Sequence, residues 1–512
     1  MTVSKDTAHW LVALIIACYL ILGTLYAWQT PKWQTPDEPA HFNYIEYIAR
    51  EKRLPVLQFG DYPHQYLEEI KAARFPPYMS ITPIRYEFHQ PPLYYALGAI
   101  LYLLTSGLGF DLQFLALRLF SVGLGATGLW VIYRLVHDIF PDAEFLALAA
   151  TAFAAAIPMH LAMTAAINND ALAELLLLMI LHQSIHVIQK GMDSRRAVVT
   201  GILVGLALLT KTTIYMALGV IVITALLGKP PSCTFAEVIP GEDGTLFRWR
   251  TPAKVRFLFS VFAVALLLAV PLFVRNALVY GGLDILGWQR HDTVVAGQLR
   301  TADLLAQVGP TNLIIQLVLT TFRSFWAQFG WMGVLVDERI YLLLALLSGL
   351  LGLGLLISII RVWQGQSRLT QAQRGGLRLL AASATFSVLT YLGYNLKFVQ
   401  YQGRYLFPAL GPLALATALS LWEILQPRTA RPLAIGLALV SLLFLVHGML
   451  SGHVPGWGLV LLVAGAAFLA VAGWLPHRWR WLPPALLYLA FLVLDWVCLF
   501  VYIVPYLRWP GR

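Results

Sequence analysis

Long runs of apolar residues recur along almost the whole chain and constrain its fold more than any other feature. The 512 residues are 59% hydrophobic and only 12% charged, and the mean hydropathy is +0.70. Soluble domains carry roughly a quarter charged residues, whereas an α-helix needs about 20 apolar residues to cross the hydrocarbon core of a bilayer. The sequence therefore predicts an all-α, polytopic transmembrane helical bundle, with residues 1–512 forming one unit.

The placement of Lys and Arg predicts the order and the orientation of the crossings. Basic residues cluster in the connections 190–196, 229–256, 361–378, 428–431 and 477–480. Such loops stay on the cytoplasmic side of a membrane, so an even number of crossings must separate each pair. The result is 13 spans in a multi-pass protein of the cell membrane, with the N-terminus in the cytoplasm. Because these loops account for the net charge of +10, we expect no nucleic-acid partner.

The same parity argument also identifies the segments that are not single, full-length spans. Residues 91–108 become a re-entrant or surface-lying helix, and the runs 198–213 and 214–228 become a hairpin of short helices. Two long loops, 29–90 and 275–339, then lie on the extracytoplasmic side. Loops of this length in a compact protein are usually functional.

The first of these loops begins with two acidic residues, Asp37 and Glu38, held between prolines just past the first span. Proline fixes the backbone, and partial desolvation at the membrane boundary raises the proton affinity of a carboxylate, as a general base requires. Both residues are candidate catalytic groups, and the neighbouring His41 is a candidate substrate-binding group. The alternative is an ordinary helix N-terminus, where acidic residues favour the helix dipole.

Two further polar positions interrupt apolar surroundings on the predicted outer side. The turn containing Asn169 and Asp170 begins a span, where the alternative role is a helix cap. Lys211 lies in the run GLALLTK at 205–211, and an unpaired ammonium group in lipid is costly and usually functional. The alternative for Lys211 is snorkelling of its head group to the interface.

Cations also lie on the outer side against the positive-inside trend. Arg404 and Tyr405 precede a span from outside, and a guanidinium group matches phosphate geometry; the alternative is an interfacial Arg–Tyr anchor. Arg275, at the outer end of another span, is a weaker example. His89 opens the predicted re-entrant helix and is a further candidate, although it also fits a purely structural role.

These residues suggest a single site if they meet in space. The carboxylates of Asp37, Glu38 and Asp170 and the cations of Lys211 and Arg404 would then surround one interfacial cavity. A carboxylate that activates a hydroxyl and cations that hold a phosphate leaving group are the groups needed for glycosyl transfer from a lipid phosphate.

Three motifs and their order along the chain resemble the GT-C superfamily of membrane glycosyltransferases. They are PDEPAHF at 36–42, FWAQFGW at 325–331 and QGRYLFP at 402–408. The resemblance is to the branch of the protein mannosyltransferases and the aminoarabinose transferase of lipid A, and it is closer still to an uncharacterised bacterial branch. The layout of the motifs covers most of the chain.

The resemblance implies a donor and a reaction. The donor would be a polyprenyl-phosphate-linked sugar drawn from the membrane lipid, and the acceptor a hydroxyl of a glycan, lipid or protein on the extracytoplasmic face. The inverting transfer is either metal-independent or assisted by a divalent metal ion, and we assign no metal ligands. The resemblance also implies juxtamembrane helices in the first outer loop.

The resemblance also implies roles for individual residues. By position, Asp37 matches the acidic catalytic residue of the family, and Asp170 matches a second outer acidic residue. Lys211 and Arg404 match positions near the lipid phosphate. Gln90 interrupts the usual His-Pro-Pro-Leu motif, which leaves the role of the preceding histidine open.

Two other functions remain open from the sequence. A transporter or flippase of an anionic lipid-linked substrate would use the same cations without chemistry, and it predicts charged residues deep within several spans. Asp495 and Glu174 are the main charges of that kind. A structural subunit that binds a partner through its acidic loop is the other alternative.

Overall fold

The structure is a computed structural model that describes residues 4–229, 252–452 and 456–511. Within these ranges the chain is almost entirely helical, which confirms the predicted all-α class. The one sheet pairs strand β1 (Gln328–Phe329) with strand β2 (Val334–Leu335) in antiparallel fashion. Most of the basic connection 229–256 lies outside the described residues.

The described residues form twenty α-helices, with five 3₁₀ turns and one π-helical turn. The first ten helices are α1 (Lys5–Gln29), α2 (Glu38–Glu51), α3 (His64–Ala72), α4 (Leu93–Leu104), α5 (Phe110–Ile139), α6 (Glu144–Ala155), α7 (Pro158–Thr164), α8 (Asp170–Lys190), α9 (Ser194–Leu208) and α10 (Ala217–Leu227). The others are α11 (Ala253–Tyr280), α12 (Trp288–Val294), α13 (Thr301–Trp326), α14 (Glu338–Trp363), α15 (Gln371–Asn395), α16 (Leu410–Ile424), α17 (Pro427–Ser451), α18 (Gly456–Trp474), α19 (Leu482–Val497) and α20 (Val504–Leu507). The shorter turns are Tyr86–His89, Ser106–Leu108, Thr212–Met216, Gly403–Ala409, His477–Trp479 and the π-helical Cys498–Ile503.

Among the described residues, 11 helices are long and apolar enough to cross a membrane. The number becomes 12 if α6 and α7, which meet at a bend of 67°, form one span. The polytopic bundle is therefore confirmed, with a count close to the predicted 13. The difference lies in α9 and α10, which have only 15 and 11 residues, and in α13, which lies within the predicted loop 275–339.

Helix α13 begins and ends beside the same short segment, 395–403. Its first amide, at Thr301, donates a hydrogen bond to the carbonyl of Lys397 (3.2 Å), and near its end Ser324 accepts one from the amide of Gly403 (2.7 Å). Six residues of extended chain reach roughly 22 Å, whereas a straight helix of 26 residues is about 39 Å long. Gly309, with φ of 77°, breaks the helix immediately before Pro310. Both ends of α13 therefore lie at one end of the bundle.

The predicted first outer loop, 29–90, folds into the expected juxtamembrane helices α2 and α3, and α4 follows within the segment 91–108 that was predicted as a re-entrant or surface-lying helix. With 12 residues, α4 is about 18 Å long and is too short to cross the hydrocarbon core. Tyr44 of α2 stacks on Tyr95 of α4 with ring centroids 3.8 Å apart. The side-chain amide of Asn43 donates to the carbonyls of Ile81 and Ile84, which fixes the rest of the loop on α2.

The centre of the bundle is helix α8, which packs along α5 and also contacts α9, α10 and α15. Small residues allow close approach between membrane helices. Gly125 of α5, for example, lies directly against the hydroxyl of Tyr19 on α1, which in turn donates a hydrogen bond to Thr164 (2.7 Å). This tight packing joins α1, α5 and α7.

Candidate active site

A cavity of about 440 Å³ opens where the first outer loop meets the start of α8, the 3₁₀ turn before α10 and the end of α15. Five of the residues singled out from the sequence for their charge or polarity line this cavity: Asp37, Asp170, Lys211, Arg404 and Tyr405. They come from four separate regions of the chain. The structure thus places the two acids and the two cations in a single pocket.

Asp37 is held at the cavity wall by the backbone and by two side chains. It has a left-handed conformation (φ 68°) at the N-terminus of α2, a conformation that aspartate adopts more readily than most residues. Its carboxylate forms an ion pair with Arg404 and accepts a hydrogen bond from the Tyr86 hydroxyl (2.8 Å). Burial is the largest single influence and disfavours the charged form, but the charge of Arg404, together with the other favourable interactions and the hydrogen bonds from Arg404 and Tyr86, lowers the pKa of Asp37 to about 2. Asp37 is therefore ionised at neutral pH.

Lys211 and Asp170 form the second ion pair of the cavity, with Nζ and Oδ1 2.6 Å apart. Lys211 is 8% exposed, and its head group faces Asp170 in the cavity. The side chain of Asn168 accepts the amide of Asp170 (2.8 Å), and this local bond turns the start of α8 toward the cavity. The turn therefore caps a helix and also supplies a carboxylate to the pocket.

Arg404 is positioned by the close approach of its neighbour to α13. A Cβ on Gly403 would collide with the backbone of Phe325 and Thr321, so only glycine fits at this contact. Arg404 itself is 5% exposed, and its Nη2 also lies 3.3 Å from the hydroxyl of Tyr405. The backbone of Arg404 is thus fixed at the cavity wall.

The cavity contains an acidic residue that the sequence reasoning missed, Glu87. It lies in the 3₁₀ turn Tyr86–His89 and lines the same pocket as Asp37. Burial, with the negative charge of Asp37, raises the pKa of Glu87 to about 8. Its Oε2 has no hydrogen-bond partner among the described residues. Glu87 is therefore a neutral carboxylic acid at neutral pH, with a proton to donate into the cavity.

The two candidate histidines also line the cavity, and both are neutral. His41 is hydrogen-bonded through Nδ1 to the hydroxyl of Tyr95 (2.8 Å), and burial lowers its pKa to about 3. His89 donates from Nδ1 to the carbonyl of Tyr86 (3.0 Å) and packs against the ring of His291. Burial lowers the pKa of His89 as well. Neutral imidazoles of this kind offer hydrogen bonds rather than charge.

Glu38, the second predicted catalytic residue, does not line the cavity. Its fully buried carboxylate accepts two hydrogen bonds from Arg118 of α5, at 2.8 and 2.7 Å. It also accepts the amides of Trp33 (3.0 Å) and Ile167 (3.2 Å). Glu38 therefore fastens three parts of the chain together directly beside Asp37, and its position is that of a structural support.

Asn169 and Arg275 also lie outside the cavity lining. Asn169 is fully buried, and its side-chain amide lies 3.5 Å from the carbonyl of Thr210, which joins the two turns that carry the second ion pair. Arg275 donates to the carbonyls of Leu54 and Pro55 in the first outer loop. Both residues therefore stabilise the backbone around the cavity, and neither lines the cavity itself.

The cavity residues do not form a set of metal ligands. Across residues 4–229, 252–452 and 456–511, the one group of three His, Cys, Asp or Glu side chains with metal-ligand spacing is Asp138, His182 and His186. None of these three lines the cavity. Among the described residues, the Lys and Arg side chains that line the cavity are Lys211, Arg404 and Lys397, and Lys397 pairs with Asp292 (2.9 Å).

Solved structures share this fold. ArnT from Cupriavidus metallidurans in the apo state aligns at a TM-score of 0.53 and 16% identity, over 97% of this chain and 77% of that chain. The Archaeoglobus fulgidus oligosaccharyltransferase in the apo form aligns at 0.50 and 16%, over 94% and 56%. The A. fulgidus enzyme AglB, in complex with an inhibitory peptide and a dolichol-phosphate, aligns at 0.50 and 15%, over 96% and 56%. The chain spans about half the length of the archaeal proteins.

The chain is a multi-pass membrane protein whose fold is shared with ArnT and the archaeal oligosaccharyltransferase, which agrees with the GT-C fold that the resemblance predicted. More particularly, residues 89–241, less than a third of the chain, match the family model described as dolichyl-phosphate-mannose-protein mannosyltransferase. No curated protein matches the sequence.

Proposed function

We propose that the protein transfers a sugar from a polyprenyl-phosphate donor to an acceptor hydroxyl on the extracytoplasmic face of the membrane. The observation that carries this proposal is the pair of ion pairs, Asp37–Arg404 and Asp170–Lys211, in one cavity at the end of a membrane-spanning bundle. The GT-C fold and the match of residues 89–241 support the same class of reaction.

The cations would bind the donor phosphate. Each of the two cations is paired with a carboxylate, so a phosphate that binds there exchanges one anionic partner for another. A guanidinium group offers a planar pair of donors and an ammonium group offers a compact charge, and phosphate suits both. Because Arg404 and Lys211 are nearly buried, their attraction for phosphate is screened less than it would be at a surface.

Asp37 would act as the general base. While Arg404 is its partner, a pKa of about 2 makes Asp37 a weak base. Once Arg404 turns to the phosphate, the same buried carboxylate loses its main stabilising charge, and its proton affinity rises. Donor binding would thus activate the base. This activation requires only that the Arg404 side chain exchange Asp37 for the phosphate.

The proposed reaction balances at the acceptor oxygen. The acceptor hydroxyl gives its proton to Asp37, and its oxygen forms a bond to the anomeric carbon. The bond between that carbon and the phosphate oxygen breaks, and the polyprenyl phosphate leaves with the electron pair. Arg404 and Lys211 offset the negative charge that grows on the leaving oxygen, while Glu87 donates its proton as a hydrogen bond to the phosphate or the sugar.

The direction of the helices supports an extracytoplasmic site. Helix α8 leads from Asp170 at the cavity to the basic connection 190–196, and α15 runs from the basic connection 361–378 to the cavity. At the far end, Gln189, Lys229 and Arg374 line one pocket, so the basic segments gather there. Under the positive-inside rule that end faces the cytoplasm, and the N-terminus lies there too if α1 crosses once before the site.

A transfer assay in liposomes tests the proposal. The purified protein is reconstituted with polyprenyl-phosphate sugars labelled in the sugar, and both acceptor glycosylation and released polyprenyl phosphate are measured. We expect equal amounts of the two products. The variant Arg404→Ala should lose at least 100-fold in rate, whereas Arg323→Ala, an arginine of α13 outside the cavity, should keep the wild-type rate.

Two outcomes would contradict the proposal. Labelled lipid that crosses the bilayer with its sugar still attached would favour the transporter. Wild-type transfer by Arg404→Ala would remove the cavity from the reaction.

A further inference from the structure

A second group of titratable side chains lies at the opposite end of the helices that carry the site. His182 and His186 are one turn apart on α8, and Asp138 lies in the last turn of α5. The Nε2 atoms of both histidines point to the same carboxylate oxygen of Asp138, at 2.8 and 2.7 Å. All three side chains are half-buried, and their ligand atoms lie within 4.8 Å of one another.

We propose that Asp138, His182 and His186 bind a divalent transition-metal ion such as Zn²⁺. Two imidazole nitrogens and one carboxylate oxygen favour zinc and its neighbours over Mg²⁺ or Ca²⁺, which prefer oxygen ligands. Ligand atoms bound tetrahedrally at about 2.1 Å from Zn²⁺ lie roughly 3.4 Å apart. The observed contacts, at 2.8 and 2.7 Å, need to open by about 0.6 to 0.7 Å to admit the ion.

The surrounding contacts hold the three ligands in place. Two histidines four positions apart on a helix lie on the same face, and the rings of His182 and His186 have centroids 4.6 Å apart. The side-chain amide of Gln189 donates to the backbone carbonyl of Asp138 (2.7 Å), which joins the end of α5 to the same face of α8. The two helices thus already hold the three ligand side chains facing one another.

The distance from the cavity excludes this ion from sugar transfer. Asp170 and His186 lie 16 positions apart on α8, which corresponds to about 24 Å of helix, and most of the hydrocarbon core separates them. The ion would instead clamp α5 to α8. These are the helices that carry Arg118, the partner of Glu38, and Asp170, the partner of Lys211, so the clamp would stabilise the frame of the site from its far end.

Metal content and coordination test the proposal. The full chain is purified in detergent through an affinity tag that contains no histidine, stripped with a chelator, and incubated with Zn²⁺ or with Co²⁺ as a spectroscopic probe. We expect one ion per chain after removal of free metal, a Co²⁺ visible spectrum of nitrogen–oxygen coordination, and a higher melting temperature with metal.

Variants make the test specific. The double variant His182→Ala/His186→Ala should bind at least 100-fold more weakly and lose the metal-dependent rise in melting temperature. The matched control is His137→Ala, which removes the histidine next to Asp138 whose ring faces Glu144 instead (3.3 Å), and it should bind like the wild type. A melting temperature of the metal-free double variant close to that of the metal-free wild type shows that the variant is folded.

Three results would overturn the proposal. They are equal binding by the double variant and the wild type, a Co²⁺ spectrum of the free hydrated ion, and no metal-dependent change in the wild-type melting temperature. Any of them would leave Asp138 as a carboxylate that accepts hydrogen bonds from two histidines.

Discussion

Asp37 and Arg404 are 367 positions apart in the sequence and form an ion pair at the wall of the cavity. One residue begins the first juxtamembrane helix, and the other lies in the 3₁₀ turn before α16. The pair neutralises both groups in the absence of ligand, which limits the cost of burying their charges. It also connects the proposed base to the proposed phosphate ligand, so that binding at one changes the chemistry of the other.

Lys211 provides a test of phosphate binding. We predict that Lys211→Met lowers the affinity for polyprenyl phosphate at least tenfold, because the phosphate loses a nearly buried positive charge and Asp170 is left without its partner. Lys211→Arg should keep part of the affinity. Titration of the reconstituted protein with polyprenyl phosphate measures both effects, and Lys254→Met, on a partly buried lysine of α11 that does not line the cavity, is the control. Unchanged affinity in Lys211→Met would place the phosphate elsewhere.

The raised pKa of Glu87 predicts that the stability of the folded protein depends on pH. Its pKa is raised in the folded protein from 4.5 to about 8. A carboxyl group of this kind favours folding fully below its unfolded pKa, and the contribution is lost as the pH rises through about 8. We expect the melting temperature of the wild type to fall, relative to that of Glu87→Gln, between about pH 5 and about pH 9.

The rate of sugar transfer should show the same titration. If the proton on Glu87 serves the reaction, the wild-type rate declines above about pH 8, while Glu87→Gln, which keeps a hydrogen-bond donor, loses that alkaline decline. Glu69→Gln, at an exposed position of α3, is the control. Identical pH profiles of stability and rate in the wild type and Glu87→Gln would show that Glu87 is already ionised.

Because Glu38 and Arg118 form a buried ion pair, we predict that substitutions of either residue act mainly on the stability of the fold. Both side chains are at most 1% exposed, and removal of one partner of a buried ion pair costs roughly 3–5 kcal/mol. We expect Glu38→Gln and Arg118→Met each to lower the free energy of unfolding by about that amount, and the double variant to lose less than the sum.

Donor affinity and kcat together distinguish a supporting role of Glu38 from a catalytic one. Folded Glu38→Gln should keep its affinity for the donor and lose part of kcat, because the position of Asp37 changes while the phosphate ligands remain. Additive stability effects in the double variant, or wild-type stability in Glu38→Gln, would contradict the supporting role.

Much of the site could be predicted from the sequence because its charges lie where membrane proteins rarely keep them. The cost of an ammonium group in lipid singled out Lys211, and the positive-inside trend singled out Arg404. The same reasoning would have found Arg118, which interrupts the apolar run 113–135, had it been applied there. Pairing could not be read from the sequence, because each partner comes from a distant helix.

Sequence reasoning misjudged or missed residues whose position depends on local backbone geometry. Asp37 and Glu38 are adjacent and were both expected to be catalytic, but the left-handed conformation of Asp37 directs the two side chains to different environments. Glu87 was missed because a 3₁₀ turn of four residues has no periodic pattern that marks its position. The parity of the basic connections assigns 275–339 to a loop and has no means of showing that a helix interrupted at Gly309 forms within it.

The most direct test of the proposed mechanism is the single-turnover rate of Asp37→Asn with saturating polyprenyl-phosphate sugar and acceptor. Asparagine keeps the size of the side chain and removes its capacity to accept the acceptor proton. We predict a rate at least 100-fold below that of the wild type, with donor affinity unchanged or higher because Arg404 has lost its competing anion, and a wild-type rate for the surface control Asp303→Asn. Transfer by Asp37→Asn at the wild-type rate would contradict the account.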